Sequence, residues 1–170
     1  MAHILIDIAK QTLTLSAARQ SRIYPISTAK NGAGEIEGSE CTPRGLHVIR
    51  EKIGANLPIN AVLRGRQPTG EIYEPLLALA HPNRDWILTR ILWLSGLEEG
   101  INAGVNAEGV TVDSHDRYIY IHGTPDTEPM GVPRSHGCIR MHSHDVIDLF
   151  EHVEEGFMVN IVESVEKCVS

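Results

Sequence analysis

Ile4, Ile6 and Ile8 alternate with Leu5 and Asp7, and after Lys10 and Gln11 the run Thr12-Leu13-Thr14-Leu15-Ser16 alternates again. A period of two marks a strand with one buried face, so the chain opens with a β-hairpin. Residues 22–28 read as a third strand, and Pro25, which has no N–H to give a ladder, places it at an edge or a bulge. Residues 30–45 carry enough Gly, Pro and small polar side chains to form a long loop, and the strand pattern resumes over 46–50. Pro58, Gly65, Pro68, Gly70, Pro75 and Pro82 interrupt residues 54–82, which predicts short strands and extended loops rather than helices.

Residues 86–94 are apolar on both alternating faces and rich in β-branched and aromatic side chains, as in a central strand covered on both sides. A buried helix also fits, because a short apolar run does not fix the period. After a loop around residues 100–109, the run 117–121 reads as a strand that delivers His122 at its C-terminal end. Ser143 can cap a helix in which Val146, Phe150 and Val153 fall on one face, and Gly156 can close it. Residues 157–162 form the last strand. The fold class is mainly β with one clear α-helix, in a single domain over 1–170, without internal repeats or a linker.

Composition narrows the function classes. With 15 Lys plus Arg against 22 Asp plus Glu, the formal charge is −7, and no basic run or basic patch with interleaved aromatics appears. Nucleic acid is thereby disfavoured as a partner. No run of 18 apolar residues is available for a bilayer, so no membrane partner is expected. The first residues already alternate like a strand, without a basic region, a long apolar stretch or a small-residue cleavage site, and the expected location is the cytoplasm. Cys41, Cys138 and Cys168 are an odd number scattered along the chain, which suits reduced thiols better than a disulfide framework. Cys41 and Cys168 read as inert or peripheral.

The chemistry concentrates between His122 and Arg140, in His122-Gly123-Thr124, a loop, and Ser135-His136-Gly137-Cys138-Ile139-Arg140. A cysteine beside a glycine, with histidines two and sixteen positions before it, has the parts of a thiol nucleophile with candidate bases. His122, at a strand end, can serve as base, and Gly123 can offer its carbonyl to orient the imidazole. Gly137 permits a tight turn that aims backbone N–H groups, that of Cys138 included, at a developing oxyanion. The planar fork of Arg140 can hold a substrate carboxylate. A metal site built from His136, Cys138, His142 and His144, with His122, is the competing reading, although their spacing matches no compact zinc pattern. His142 and His144 otherwise read as exposed residues at the helix start. Residues 64–73 form a polar loop that reads as solvated surface or as a substrate contact.

His-Gly-Thr followed by Ser-His-Gly-Cys-Ile-Arg-Met resembles the signature of the YkuD-type L,D-transpeptidase catalytic domain. The N-terminal hairpin, Thr42-Pro43-Arg44-Gly45 before a strand, and the helix after Cys138 also match that family's layout. The resemblance implies a mixed β-sandwich or barrel-like domain in which Cys138 attacks a peptide bond between an L-centre and a D-amino acid of murein stem peptides or muropeptides. By similarity His122 is the general base and Gly123 orients it. Ser135, His136, Gly137 and Arg140 build the substrate and oxyanion surroundings, with no cofactor and no metal. An amine acceptor would make the enzyme a transpeptidase; water would make it an L,D-carboxypeptidase trimming a tetrapeptide in cytoplasmic recycling, the preferred expectation. Carbapenem-type β-lactams are the covalent inhibitors the resemblance implies. Cys41 and Arg44 depart from the family pattern.

Overall fold

The computed structural model describes residues 1–168, with side chains through 166; the Cys168 thiol lies outside the described residues. Its strands are β1 (His3–Asp7), β2 (Thr12–Ala17), β3 (Gln20–Pro25), β4 (Gly45–Ile53), β5 (Ala61–Arg64), β6 (Gln67–Ile72), β7 (Ile87–Gly96), β8 (Tyr120–Thr124), β9 (Ile139–His142) and β10 (Met158–Val162). Two helices accompany them, α1 (Pro75–Ala80) and α2 (Ser143–His152), followed by a 3₁₀ turn at Val165–Cys168.

The alternation that opens the chain becomes the antiparallel β1–β2 hairpin, with Ile4 opposite Leu15 and Ile6 opposite Leu13, all four buried. β3 is the edge strand that Pro25 requires. From β3 the sheet runs β2, β1, β10, β4 and β7, with β1 and β10 parallel. β7 is the hub, pairing β4 and β5 along one edge and β8 along the other. β9 adds to β8 in parallel, and Ser27, just past β3, exchanges backbone hydrogen bonds with Arg140 of β9 at 2.9 Å each way. The sheet therefore curls back onto its own first edge, which gives the barrel-like form expected.

Helix α2 fills the curl. Val146, Leu149 and Phe150 meet Ile6, Leu13, Leu92, Leu94, Ile121 and Met141 in the main core. Tyr24 of β3 donates to Asp148 at 2.6 Å and Arg22 to the same carboxylate at 3.1 Å, fixing the outer side of α2 to the sheet edge. The two faces of β7 serve two cores: Leu92 and Leu94 turn to the main one, while Ile91 and Trp93 join Leu63 and Tyr120 in a smaller one. This resolves residues 86–94 as a doubly covered strand. A bulge at Thr89, held at φ +75 inside β7, interrupts its pairing with β8. Buried Arg90 donates to the carbonyls of Leu57 and Thr89 at 3.0 and 2.7 Å.

Three local expectations are corrected. The stretch 54–82 contains helix α1, because Pro75 sits in its first turn, where no N–H is missed; the helix buries none of its own residues. β8 begins at Tyr120, so His122 lies mid-strand rather than at a strand end. Residues 113–118 form a turn instead, in which the Asp113 carboxylate accepts from the N–H groups of Gly104 and Asp116 and Tyr118 adopts φ +57. Ser143 is the first helical residue of α2, not its cap: its hydroxyl bonds Thr89 Oγ1 at 2.7 Å and Asn60 at 3.2 Å. Gly156 turns the chain beyond the end of α2, at φ +91.

His47 is wholly buried in β4, with Nδ1 on the Gly45 carbonyl at 3.0 Å and Nε2 on Ser114 Oγ at 2.8 Å. Burial lowers its pKa from the usual 6.5, and it does the same to the equally buried His122. Below pH 6.5 the unfolded chain takes up protons that these two sites refuse in the fold, so stability present above that pH is lost as the pH falls. Each histidine contributes at most about 1.4 kcal/mol per pH unit, and about 2–4 °C of melting temperature accompanies each kcal/mol in a chain of this size. Thermal melts at pH 7.5 and 5.5 should show a clear drop at the lower pH, and a flat profile would contradict this reading.

Candidate active site

β8 and β9 run in parallel register, Ile121 beside Ile139 and His122 beside Arg140. Period two then divides the ladder. Ile121, Ile139 and Met141 enter the main core, whereas Tyr120 and Cys138 belong to the smaller cluster. His122, Thr124 and Arg140 follow Tyr120 and Cys138 at two-residue steps, so one face of a rigid ladder carries the reactive set.

The Cys138 thiol is half-buried; the Tyr120 N–H donates to Sγ at 3.4 Å, and the thiol donates to the Tyr118 carbonyl at 3.3 Å. Burial pushes its pKa up to about 11, against the opposing pull of the Tyr120 N–H and the positive charges of Arg140 and Arg117. His122 is 1% exposed, and its Nδ1 lies 2.6 Å from the Gly123 carbonyl. A carbonyl only accepts, so the ring hydrogen resides on Nδ1 and Nε2 keeps its lone pair. Burial lowers the His122 pKa, with the Gly123 carbonyl working the other way. Burial thus disfavours the charged form of each group, the Cys138 thiolate and the His122 imidazolium alike.

Glycine is required at 123. A Cβ there would collide with the Leu88 carbonyl and lie 3.2 Å from Ser143 Oγ, so no larger residue could keep the carbonyl on His122. Gly137 has φ +137, and its carbonyl accepts from Thr42 Oγ1 at 2.9 Å. Its N–H donates to Ser135 Oγ at 3.2 Å, and Ser135 Oγ donates to the Cys138 carbonyl at 2.5 Å. Buried Ser135 thus braces the turn that carries Cys138 rather than facing the solvent. His136 is exposed and walls three clefts, among them one shared with Arg140 and one with Arg117. Arg140 donates to Asp85 at 3.1 Å and lies 4.0 Å from Glu128, beside a cleft of ≈ 160 Å³.

Several contributors come from positions that no motif marks. Half-buried Arg117 donates to the carbonyls of Gly34, Glu35 and Cys41 at 3.3, 3.1 and 2.7 Å, tying the 30–45 loop beneath Gly137 and Cys138. Arg66, in the 64–73 segment, donates to the Tyr120 hydroxyl at 3.0 Å and lies over the Trp93 ring at 4.6 Å. That segment therefore reaches the cluster around the thiol. Cys41 is a free, half-buried thiol that donates to the Asn31 and Ser39 carbonyls at 3.6 Å each. The proposed His/Cys metal set does not converge: Cys138 faces the smaller core, His136 the clefts, and His142 the Glu128 carbonyl at 3.1 Å. Among the described residues, Asp113, His115 and Asp116 are the group with ligand atoms close enough for an ion, and both Asp113 oxygens already accept backbone N–H groups.

Comparison with solved structures places the same architecture in L,D-transpeptidases. That of Mycobacterium smegmatis aligns with a TM-score of 0.51 at 19% identity, covering 95% of this chain and 59% of that one. That of Enterococcus faecium gives 0.54 at 17%, covering 95% and 49%, and Bd1075 of Bdellovibrio bacteriovorus 0.54 at 14%, covering 96% and 48%. The chain spans about three-fifths or less of the length of these proteins. No curated protein matches the chain. The model of the YkuD family, described as the L,D-transpeptidase catalytic domain, matches residues 1–161, a span that takes in both halves of the reactive face and all ten strands but the last residue of β10. The chain belongs to the YkuD family of L,D-transpeptidase catalytic domains.

Proposed function

We propose that this chain transfers the acyl group of an L,D-peptide bond in a murein stem peptide to water, through a thioester on Cys138. The observation that carries the reading is the Cys138 thiol and the buried His122 imidazole on one face of the β8–β9 ladder, with the Gly123 carbonyl fixing the proton on His122 Nδ1. As Sγ bonds to the carbonyl carbon, its proton passes to Nε2 of His122. The C–N bond then breaks, and His122 returns that proton to the departing amine of the D-amino acid. A water molecule next gives a proton to His122 and attacks the thioester; the C–S bond breaks and Cys138 recovers its hydrogen. Gly137, braced by Ser135 and Thr42, holds the turn that presents Sγ.

The product is a tripeptide, and we assign the reaction to trimming of recycled muropeptides in the cytoplasm. Free thiols at Cys41 and Cys138 suit a reducing compartment. Transfer to an amine is the second reading, supported by Glu37, Glu40 and Asp116 around the cleft beyond His136, which would attract a cationic acceptor. Mass analysis of products from a murein tetrapeptide, with and without a D-amino acid acceptor, separates the two. A tripeptide in both samples is expected; an exchanged tetrapeptide as the main product would replace hydrolysis with transfer. LdtMt1, an LD transpeptidase of similar fold, has been solved in complex with imipenem. A carbapenem adduct on Cys138, seen as added protein mass, is expected here on the same reading.

A further inference from the structure

Thr89 is β-branched and yet stands at φ +75 inside β7, a conformation its side chain disfavours. Leu88 pairs with Gly123 and Ile91 with His122, so Thr89 and Arg90 bulge from β7 opposite the peptide that joins His122 to Gly123. Thr89 and Ser143 are wholly buried, and their hydroxyls close a ring with Asn60. The Asn60 N–H donates to Thr89 Oγ1 at 3.0 Å, Thr89 Oγ1 to Ser143 Oγ at 2.7 Å, and Ser143 Oγ to Asn60 Oδ1 at 3.2 Å. Each hydroxyl gives one hydrogen and accepts one, so neither can rotate without opening the ring. The ring meets the reactive face at Gly123. A Cβ there would collide with the Leu88 carbonyl and lie 3.2 Å from Ser143 Oγ, and the Gly123 carbonyl lies 2.6 Å from His122 Nδ1. A glycine at 89 would take the same φ freely, but it would bring no hydroxyl to the ring.

We propose that Thr89 and Ser143 are positioning residues for His122: joined through Asn60, they hold the Gly123 peptide so that its carbonyl keeps the imidazole hydrogen on Nδ1 and leaves Nε2 as the base. Which nitrogen of a neutral imidazole carries the hydrogen is set by what the other ring nitrogen meets. The Gly123 carbonyl can do this only while its peptide plane is fixed, and the bulge removes the regular β7–β8 ladder that would otherwise fix it. The buried ring takes over that task from the other side, through close packing of Ser143 Oγ and the Leu88 carbonyl against Gly123. Thr89 and Ser143 act through Gly123 and touch no reacting atom. The inference deepens the acyl transfer proposed above and rests on that reading for its place in the reaction, but the tautomer itself can be read without substrate.

The test uses the full chain, ¹⁵N-labelled in its histidines, at a pH above the usual imidazole pKa, with the His122 ring signals assigned by their loss in His122→Gln. The unaltered chain should show His122 as one tautomer, with the hydrogen on Nδ1. Thr89→Gly and Ser143→Ala should each add ring signals with the hydrogen on Nε2, and each should lower kcat for D-alanine release about tenfold while KM stays within about twofold. Thr89→Ser, which keeps the hydroxyl, should match the unaltered chain in both readouts. Thr89→Gly also relieves the strained φ, which offsets its lost hydrogen bonds in the melting temperature. A merely structural brace would lose melting temperature and leave the tautomer alone. Should Thr89→Gly fail to fold, Ser143→Ala carries the test, because its backbone is ordinary helix. An unmixed Nδ1–H tautomer in the folded variants, or a Thr89→Ser variant that behaves like Thr89→Gly, would overturn the assignment. A chain that releases no D-alanine but changes tautomer in these variants would refute the acyl transfer and leave the positioning of His122 standing.

Discussion

Cys138→Ala should abolish release of D-alanine from a murein tetrapeptide, lowering the rate by about 10⁴-fold or more, while the chain stays folded. The size follows from the absence of any second nucleophile on the reactive face: His122 is turned into its strand neighbour Gly123, and Thr124 has a hydroxyl with no base beside it in the hydrogen-bond network. Without sulfur no thioester forms, and direct attack of water on an amide retains only what positioning and charge supply. The fold should hold because the lost atom is half-buried and its neighbours are fixed by others. Tyr120 is anchored through its hydroxyl to Arg66, and the Cys138 carbonyl through Ser135. The cost is one Tyr120 N–H left without its weak sulfur acceptor, about 1 kcal/mol or a few degrees of melting temperature. Initial rates by product mass, read beside a thermal melt, decide the matter. A variant that melts normally and keeps a tenth of the activity would remove Cys138 from the mechanism.

The sheet was readable wherever a period of two coincided with burial of a single face, as at Ile4, Ile6, Leu13 and Leu15. β7 was readable for the opposite reason, since both of its faces meet a core. His122, Gly123 and Cys138 stand out in the sequence because the chemistry they suggest depends on local spacing along two strands. What was hidden depends on distance in the chain. Arg117 looked like one more residue of an alternating strand, and only the fold brings it under three carbonyls from residues 34–41. Ser143 carries the residue type of a helix cap, but the bulge at Thr89 and the side chain of Asn60 claim its hydroxyl first. The Pro75 rule that breaks helices in their interior starts one here. Asp85, Thr124 and Glu128 form a cleft with Arg140 only once the loop before β7 meets the ends of β8 and β9.

Alkylation of Cys138 by iodoacetamide should rise with pH throughout the range from about 7 to 10 and level off only as the thiol ionises, near 11. The sign follows from burial, which penalises the thiolate and raises the pKa from 9.0 to about 11. At pH 7 the thiolate fraction is then roughly a hundredfold smaller than for the same thiol in water. His122 does not produce the slope: its pKa is displaced below 6.5, so it is neutral across the whole range and adds only a constant assistance. Catalysis should follow a different curve, because a bound peptide carbonyl lets proton transfer to His122 accompany attack. It should need His122 neutral but not Cys138 ionised, and kcat/KM should therefore be level from about pH 7 upward while alkylation is still climbing. Peptide-resolved mass spectrometry distinguishes Cys138 from Cys41 and Cys168 in the alkylation series. A plateau already complete by pH 8 would mean a preformed thiolate–imidazolium pair, and with it a site whose electrostatics favour charge separation at rest instead of the neutral pair that burial in this ladder imposes.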